Sequence, residues 1–230
     1  MSDKIKALLF DMDGVLIDAK DWHYESLNKA LGLFGLGISR YDHLHTFDGL
    51  PTREKLKMLS EQYYLPEELH SFINQLKQKY TLEETTLKCR PMFHHEYALS
   101  RLHNSGYKIA VCSNSVRTTI ENMMRLSNLE KYIDLIVSNE DVVKAKPDPE
   151  MYIVTIQKFG LKPSECLVVE DNPKGIAAGR DSGAYVLAVD TVYDVNYENI
   201  TGAISKCESG KMPRKPTNKK SIGNLKIFEH

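Results

Sequence analysis

The chain has almost no net charge. Its 30 Lys and Arg stand against 31 Asp and Glu in 230 residues, a formal balance of −1. Such a balance offers no global field to draw in nucleic acid or an anionic membrane surface, so neither is expected as a partner. Long apolar runs are lacking too. None approaches membrane-spanning length, and residues 1–6 have no apolar stretch of the signal-peptide kind. Cysteines are few, and Cys89, Cys112, Cys166 and Cys207 form no CxxC pair. Cys112 and Cys166 fall in or beside apolar strand-like runs, which favours reduced core thiols over disulfides or zinc ligands. The expected location is therefore cytoplasmic. What remains is 42% apolar and 27% charged, enough to build a real core in one large domain or two small ones.

The stretch Ala7-Leu8-Leu9-Phe10-Asp11-Met12-Asp13-Gly14-Val15 organises the rest. A continuous apolar run of strand length predicts a strand buried on both faces, as in a parallel sheet. Asp11 then falls at the carboxyl end of that strand, where open α/β sheets place their ligands. Asp13 can point to the same side if the backbone stays near extended, and Gly14 allows a sharp turn. Two carboxylates together at a strand end are costly unless a cation offsets them, and a divalent metal is the usual answer. The bland alternative is a solvated Asp-rich turn.

Beyond Val15 the periodicity turns helical for some seventy residues. Trp22, Leu27, Ala30, Leu31 and Phe34 recur at helical spacing. Pro51 opens a second helix carrying Leu56, Leu59 and Tyr63, and Pro66 a third carrying Leu69, Phe72, Ile73 and Leu76. An all-helical insertion over residues 16–88 is predicted, joined to the remainder near residues 16–18 and 88–91. From residue 89 to 204, helices and strands alternate, with strands predicted at 107–112, 134–137, 166–169 and 185–189. That alternation implies a doubly wound parallel sheet of the Rossmann-like α/β class, completed by residues 1–15. Residues 205–230, rich in Lys, Pro, Ser and Gly, read as a basic C-terminal tail, more simply solvated than a docking site for an acidic partner.

A doubly wound sheet would bring three further strand ends to the edge that holds Asp11. One ends in Ser113 before a helix, giving a hydroxyl and free backbone N–H groups suited to phosphate oxygens. Another ends in Glu170-Asp171, and Lys146 lies between them in a proline-flanked loop. Each has a bland reading when taken alone: a helix-cap serine, a solvated lysine, an acidic turn. Their joint occurrence at strand ends favours function. His94 and His95 are adjacent and cannot share a helix face, so they make a poor metal pair. Gly32, Gly35 and Gly37 follow no strand and do not read as a dinucleotide loop.

These motifs resemble those of the haloacid dehalogenase superfamily of aspartyl-phosphate hydrolases. Asp11-Met12-Asp13-Gly14-Val15 is similar to its first motif, Ser113 to the second, Lys146 to the third and Glu170-Asp171 to the fourth. The helical insertion resembles the first type of cap domain. Asp13 to Asp18 with Trp22-His23, Gly49 and Arg53 look most like the β-phosphoglucomutase and sugar-phosphatase branch. The resemblance implies a Mg²⁺-dependent phosphatase acting on a small phosphorylated metabolite, a sugar phosphate for preference. Asp11 would be the nucleophile and Asp13 the acid and base. Mg²⁺ would be held by Asp11, the Asp13 carbonyl, Asp171 and, directly or through water, Glu170. Ser113, the Asn114 N–H and Lys146 would bind phosphoryl oxygens. In the cap, Arg53 could grip a second anionic or hydroxyl-rich part of the substrate, and His23 could orient Asp13 or the leaving group. A cap lysine, Lys77 or Lys79, is a further candidate. The plainer readings are a surface Arg and a packing His. The closest rival is a phosphomutase; a non-catalytic binding module on the same fold is the bland alternative, and a dehalogenase would need neither Asp13 nor Asp171. A monomer is the default expectation.

Overall fold

The computed structural model describes residues 3–214. Strands β1 (Ala7–Phe10), β2 (Lys108–Cys112), β3 (Leu135–Val137), β4 (Cys166–Glu170) and β5 (Tyr185–Ala188) form a five-stranded sheet in the order β3-β2-β1-β4-β5. Every neighbouring pair is parallel, and Phe10 of β1 is in register with Val111 of β2 and Val169 of β4. The central strands therefore end level, and the chain leaves β1 with a neighbour on either side. This is the crevice where a doubly wound sheet binds ligands.

The apolar runs are continuous because both faces are covered. Leu8, Phe10, Ile109, Val111, Leu167 and Val169 form one face. They pack on α5 (Phe93–Asn104), α6 (Arg117–Leu126) and α9 (Tyr197–Glu208) through residues such as Leu99, Met123 and Ile204. Ala7, Leu9, Ala110, Cys112 and Val168 alternate with them to the other face. There they meet α7 (Glu150–Lys158) and α8 (Pro173–Asp181) through Tyr152, Ile156 and Ala178. All four cysteines are buried and free. No described helix is long and apolar enough to cross a membrane.

The insertion consists of α1 (Lys20–Gly32), α2 (Arg40–Asp42) running into a π-helical turn at His43–Phe47, α3 (Thr52–Tyr63) and α4 (His70–Lys88). It has its own core, in which Leu27, Leu31, Phe47, Leu56, Leu59 and Ile73 are buried together. Its edge differs from the one periodicity suggests. Leu16, Ile17 and Ala19 belong to the main core, so the helical unit starts at Lys20. Tyr63 and Phe72, assigned by spacing to apolar faces, are exposed. The long helix α4 also rests on α6, where Gln78 and Thr85 accept hydrogen bonds from Thr119 and Asn122.

At the other end, α9 has no forerunner in the periodic reading. Asn196 caps it by accepting from the Asn199 N–H, and Cys207 is buried against the main core. Residues 205–208, assigned by composition to the tail, therefore complete a packed helix. Residues 215–230 of that tail lie outside the described residues. His94 and His95 both donate through Nε2 to the Val192 carbonyl, which is a packing role.

Candidate active site

Asp11 follows β1 directly, and its N–H donates to the Val169 carbonyl at 3.0 Å, so it continues the sheet before the chain turns. Its Oδ1 accepts from Lys146 Nζ at 2.6 Å. Lys146 is 4% exposed and also donates to the Cys112 carbonyl and to Glu170 Oε1, each at 2.7 Å. An ammonium has three protons, and here all have acceptors. Burial alone would lower its pKa, but Asp11 and Glu170 overcome that and hold it charged. Asp11 moves the other way. Burial, with Glu170, Asp171 and Asp13 close by, raises its pKa well above the usual carboxylate range despite Lys146. The site holds more negative charge than its lysines offset.

The excess has a location. One carboxylate oxygen each from Asp11, Glu170 and Asp171 lies within 4.8 Å of the others. Glu170 is already committed. Its Oε1 accepts from Lys146 and from the Tyr152 hydroxyl at 2.9 Å, and its Oε2 accepts from the Asp171 and Asn172 N–H groups at 3.0 and 3.1 Å. Gly175 has to be glycine, because a Cβ there would run into the Glu170 carboxylate. Asp171 is the opposite case. Both its oxygens are buried and accept no regular hydrogen bond, and Oδ2 meets only the Lys20 ammonium at 2.5 Å. Burial raises the Asp171 pKa even so. Gly14, at φ +90°, leaves room where a Cβ would strike Asp171 and Lys20. Hard oxygen donors with excess negative charge and orphaned lone pairs suit a divalent cation such as Mg²⁺.

Asp13 sits in a different environment, on the side facing the helical cap. Its Oδ1 is 3.0 Å from His23 Nε2, and Ser115 Oγ donates to its Oδ2 at 3.3 Å. The far nitrogen of His23, Nδ1, is 3.1 Å from Lys77 Nζ. An ammonium can only donate, so Nδ1 accepts, Nε2 carries the proton, and His23 donates to Asp13. Burial and the Lys77 charge keep the imidazole pKa low, against the pull of Asp13. Burial would raise the Asp13 pKa, but His23, Lys77 and Ser115 prevail and lower it. Two carboxylates two residues apart are thus driven in opposite directions, the usual preparation for separate roles.

Ser113 is buried at the end of β2, and its Oγ accepts from the Ser115 N–H at 3.1 Å. The side chain of Asn114 is a clamp. Its Nδ2 donates to the Gly49 and Lys146 carbonyls at 2.8 and 3.3 Å, and its Oδ1 accepts from the Lys146 N–H at 3.1 Å. It ties the Lys146 loop to the cap and leaves the ligand role expected of Asn114 to its backbone. These groups line one cleft of about 420 Å³ between core and cap.

Arg53 lies at the rim, half exposed, with Nη2 donating to the Val143 carbonyl at 3.2 Å, so it joins cap to core. Lys77, not Lys79, reaches inward. Sequence reasoning missed Lys20, His43, Lys55, Ser115 and Tyr152. Ser115, two residues beyond Ser113, was the most accessible of these. Lys55 carried no signal, because one lysine on an amphipathic helix reads as solvated.

The fold and site define a class, and comparison with known proteins gives it a family. Residues 8–189 match the haloacid dehalogenase-like hydrolase model, and the chain belongs to that family. A phosphorylated carbohydrates phosphatase of Thermotoga maritima is 28% identical over 193 residues, covering 83% of this chain and 85% of its own. A probable pseudouridine-5'-phosphatase of Saccharomyces cerevisiae is 32% identical over 198 residues, covering 80% and 82%. The crystal structure of a β-phosphoglucomutase from Clostridium difficile superposes with a TM-score of 0.77 at 22% identity, covering 88% and 98%, a likeness of fold. The chain is an enzyme of the phosphoric monoester hydrolase kind.

Proposed function

We propose that this protein is a Mg²⁺-dependent phosphatase that hydrolyses a small phosphorylated metabolite, a sugar phosphate or a close relative, through an aspartyl phosphate on Asp11. The observation that carries the reading is geometric: Asp11, Glu170 and Asp171 bring carboxylate oxygens within 4.8 Å of one another at neighbouring strand ends, and Asp13, two residues beyond Asp11, is held on the cap side by His23. The T. maritima relative's name supports a carbohydrate-like substrate.

In the first half-reaction an Asp11 carboxylate oxygen attacks phosphorus, and the bond to the leaving oxygen breaks with its electron pair staying on that oxygen. Asp13, when protonated, delivers the proton that the leaving alkoxide needs. Ser113 and the Asn114 N–H hold the phosphoryl oxygens, and Lys146, its three protons already engaged, adds its positive charge beside them, all in place before the charge moves. In the second half, Asp13 takes a proton from water as that water attacks phosphorus, the Asp11–phosphorus bond breaks, and phosphate leaves. His23 keeps Asp13 facing the cleft. Asp11, Asp171 and the Asp13 carbonyl would hold Mg²⁺, which supplies the positive charge that lets a carboxylate and a phosphate meet. Glu170, its oxygens already engaged, orients Lys146.

The test is phosphate release from a panel of sugar phosphates with and without Mg²⁺, followed by trapping of acid-stable or borohydride-reducible phosphorylated Asp11. Metal-dependent release with label on Asp11 is expected. Release that persists in chelator, or without a labelled aspartate, would overturn the reading. Isomerised sugar phosphate in place of free phosphate would replace the hydrolase with a mutase.

A further inference from the structure

The roof of the cleft holds buried cations that make no ion pair. Lys55 of α3 and Lys77 of α4 are only 8% and 7% exposed, and both line the cleft. Lys77 has the neutral His23 as its partner. Lys55 donates to no described group. Asp48 and Asp13 pull on Lys55 from a distance without outweighing its burial, and both hydrogen-bond elsewhere, Asp13 to His23 and Ser115 and Asp48 to the Asn172 amide at 2.8 Å. Beside the lysines stand two more unsatisfied groups that line the same space. Both ring nitrogens of His43 and the Oδ1 of Asn74 are buried without a partner.

Such a cluster weakens the fold that carries it. An unpaired ammonium loses its hydration on burial, and an unpaired amide or imidazole loses hydrogen bonds to water. The packing does not require it either, since Leu56 and Leu59 of the same helix already fill the cap core. The groups feel one another: burial and then Lys55 lower the pKa of Lys77 to about 8 and that of His43 to about 4, so His43 stays neutral. The two ammonium groups and an imidazole N–H can receive an anion, and the amide oxygen can accept from a hydroxyl group beside it.

The position of the cluster says which part of a substrate it meets. Lys77 reaches Asp13 through His23, and Asp13 faces the leaving oxygen. The transferring phosphoryl group has its own cation, Lys146, on the floor. The roof therefore faces the alcohol that departs. We infer that Lys55, Lys77, His43 and Asn74 form a second anion subsite that binds a carboxylate or phosphate carried by the leaving alcohol. This rests on the hydrolase reading above and narrows it to small esters anionic at both ends. An uncharged alcohol leaves the roof cations unmatched and is the poorer substrate.

The test compares three phosphate esters of one three-carbon alcohol, ending in a hydroxyl, a carboxylate or a second phosphate. kcat/KM is measured with Mg²⁺ for the parent and for Lys55→Met. The parent should prefer at least one doubly anionic ester over the hydroxyl ester by tenfold or more, and Lys55→Met should cut that preference at least fivefold. Whichever ester shows the larger cut names the anion. No preference in the parent, or a preference that survives the substitution, overturns the subsite. If none of the three esters is hydrolysed, the sugar phosphate panel decides the hydrolase reading, and the subsite is read by calorimetry instead. Inorganic phosphate titrated into metal-free protein should bind Lys55→Met at least tenfold more weakly than the parent; equal binding overturns the inference. Lys55→Met should also melt a few degrees higher than the parent, since it removes an unpaired buried charge. Lys55→Gln repeats the comparison should the methionine perturb the cap.

Discussion

The floor and the roof of the cleft handle buried charge in opposite ways. On the floor, Lys146 bridges Asp11 and Glu170 at 2.6 and 2.7 Å, and Lys20 meets Asp171 at 2.5 Å. In the roof, Lys55 and Lys77 are nearly as buried as Lys146 and make no ion pair. A paired charge is held in one place, which suits groups that must be aligned before a reaction starts. An unpaired charge is held ready for something that arrives. The floor is therefore the part of the cleft held in one geometry, and the roof is the part that selects. The two meet at Asp13, whose carboxylate belongs to the floor by sequence and to the roof by its bond to His23.

The strongest way to break the floor is at its nucleophile. Asp11→Asn is nearly isosteric but cannot form an acyl phosphate, so steady-state phosphate release should fall by at least about 10³-fold. A cooperative thermal melt should persist. Activity within tenfold of the parent would remove Asp11 from its role. Asp13→Ala tests the joint between the two regions, and loss of an acid and base costs about 10²–10⁴ in rate. Because the expected metal ligand at this residue is the backbone carbonyl, Mg²⁺ affinity measured by calorimetry should change little. A large loss of metal binding would mean that the side chain, not the carbonyl, is the ligand.

Lys146→Met probes the pairing itself. It leaves Asp11 and Glu170 buried without their common cation, and breaking such an arrangement costs about 3–5 kcal/mol of stability. In denaturant melts the midpoint should drop well outside error. An unchanged midpoint would show that the floor is not held together by charge.

Lys55 should show the opposite sign. Burial lowers its pKa to about 8 in the folded protein, against about 10.4 when unfolded. Between those values the unfolded chain binds the extra proton, so the contribution of Lys55 to stability rises with pH. Lys55→Met should therefore be more stable than the parent below pH 8. That advantage should shrink, by on the order of 3 kcal/mol at most, as pH climbs from 8 to 10.4. The readout is the difference between the two proteins, because the four buried thiols titrate in the same window and cancel. An advantage that does not depend on pH would show that Lys55 is uncharged or paired.

Arg53→Ala is the gentlest intervention. The guanidinium is half exposed and makes one hydrogen bond across the cleft, to Val143. About 1 kcal/mol, or a severalfold rise in KM with kcat nearly unchanged, is expected. Equal losses on a small generic phosphate ester and on a larger substrate would place Arg53 in the structure of the cap rather than in recognition.

The expected strands and the observed ones agree to within a residue or two, because a strand buried on both faces has to be apolar throughout and its punctuation is unambiguous. Asp11, Ser113 and Glu170-Asp171 were legible for the same reason. They sit where those runs stop, and the parallel register brings the stops together, whereas Lys146 showed only by its proline-flanked loop. Helix α9 was not legible, since its packed residues Ile200, Ala203, Ile204 and Cys207 stand among polar ones that resemble a tail. On α4 the buried face reads Ile73, Lys77, Thr81, Thr85, a spacing of four with polar members that no hydrophobic period reports.

By itself, then, the sequence determined the sheet, the place of the helical insertion and the residues at the strand ends. Those follow from local chemistry: apolar continuity, turn residues, and carboxylates too close together to stand without a cation. Only the tertiary structure decided which lysine serves which region. Lys146 is marked by its proline-flanked loop, but Lys20, Lys55 and Lys77 carry no local signal that separates them. Their roles differ because packing gives Lys20 an ion pair with Asp171 and leaves Lys55 and Lys77 with none, and that difference is created between elements far apart in the chain.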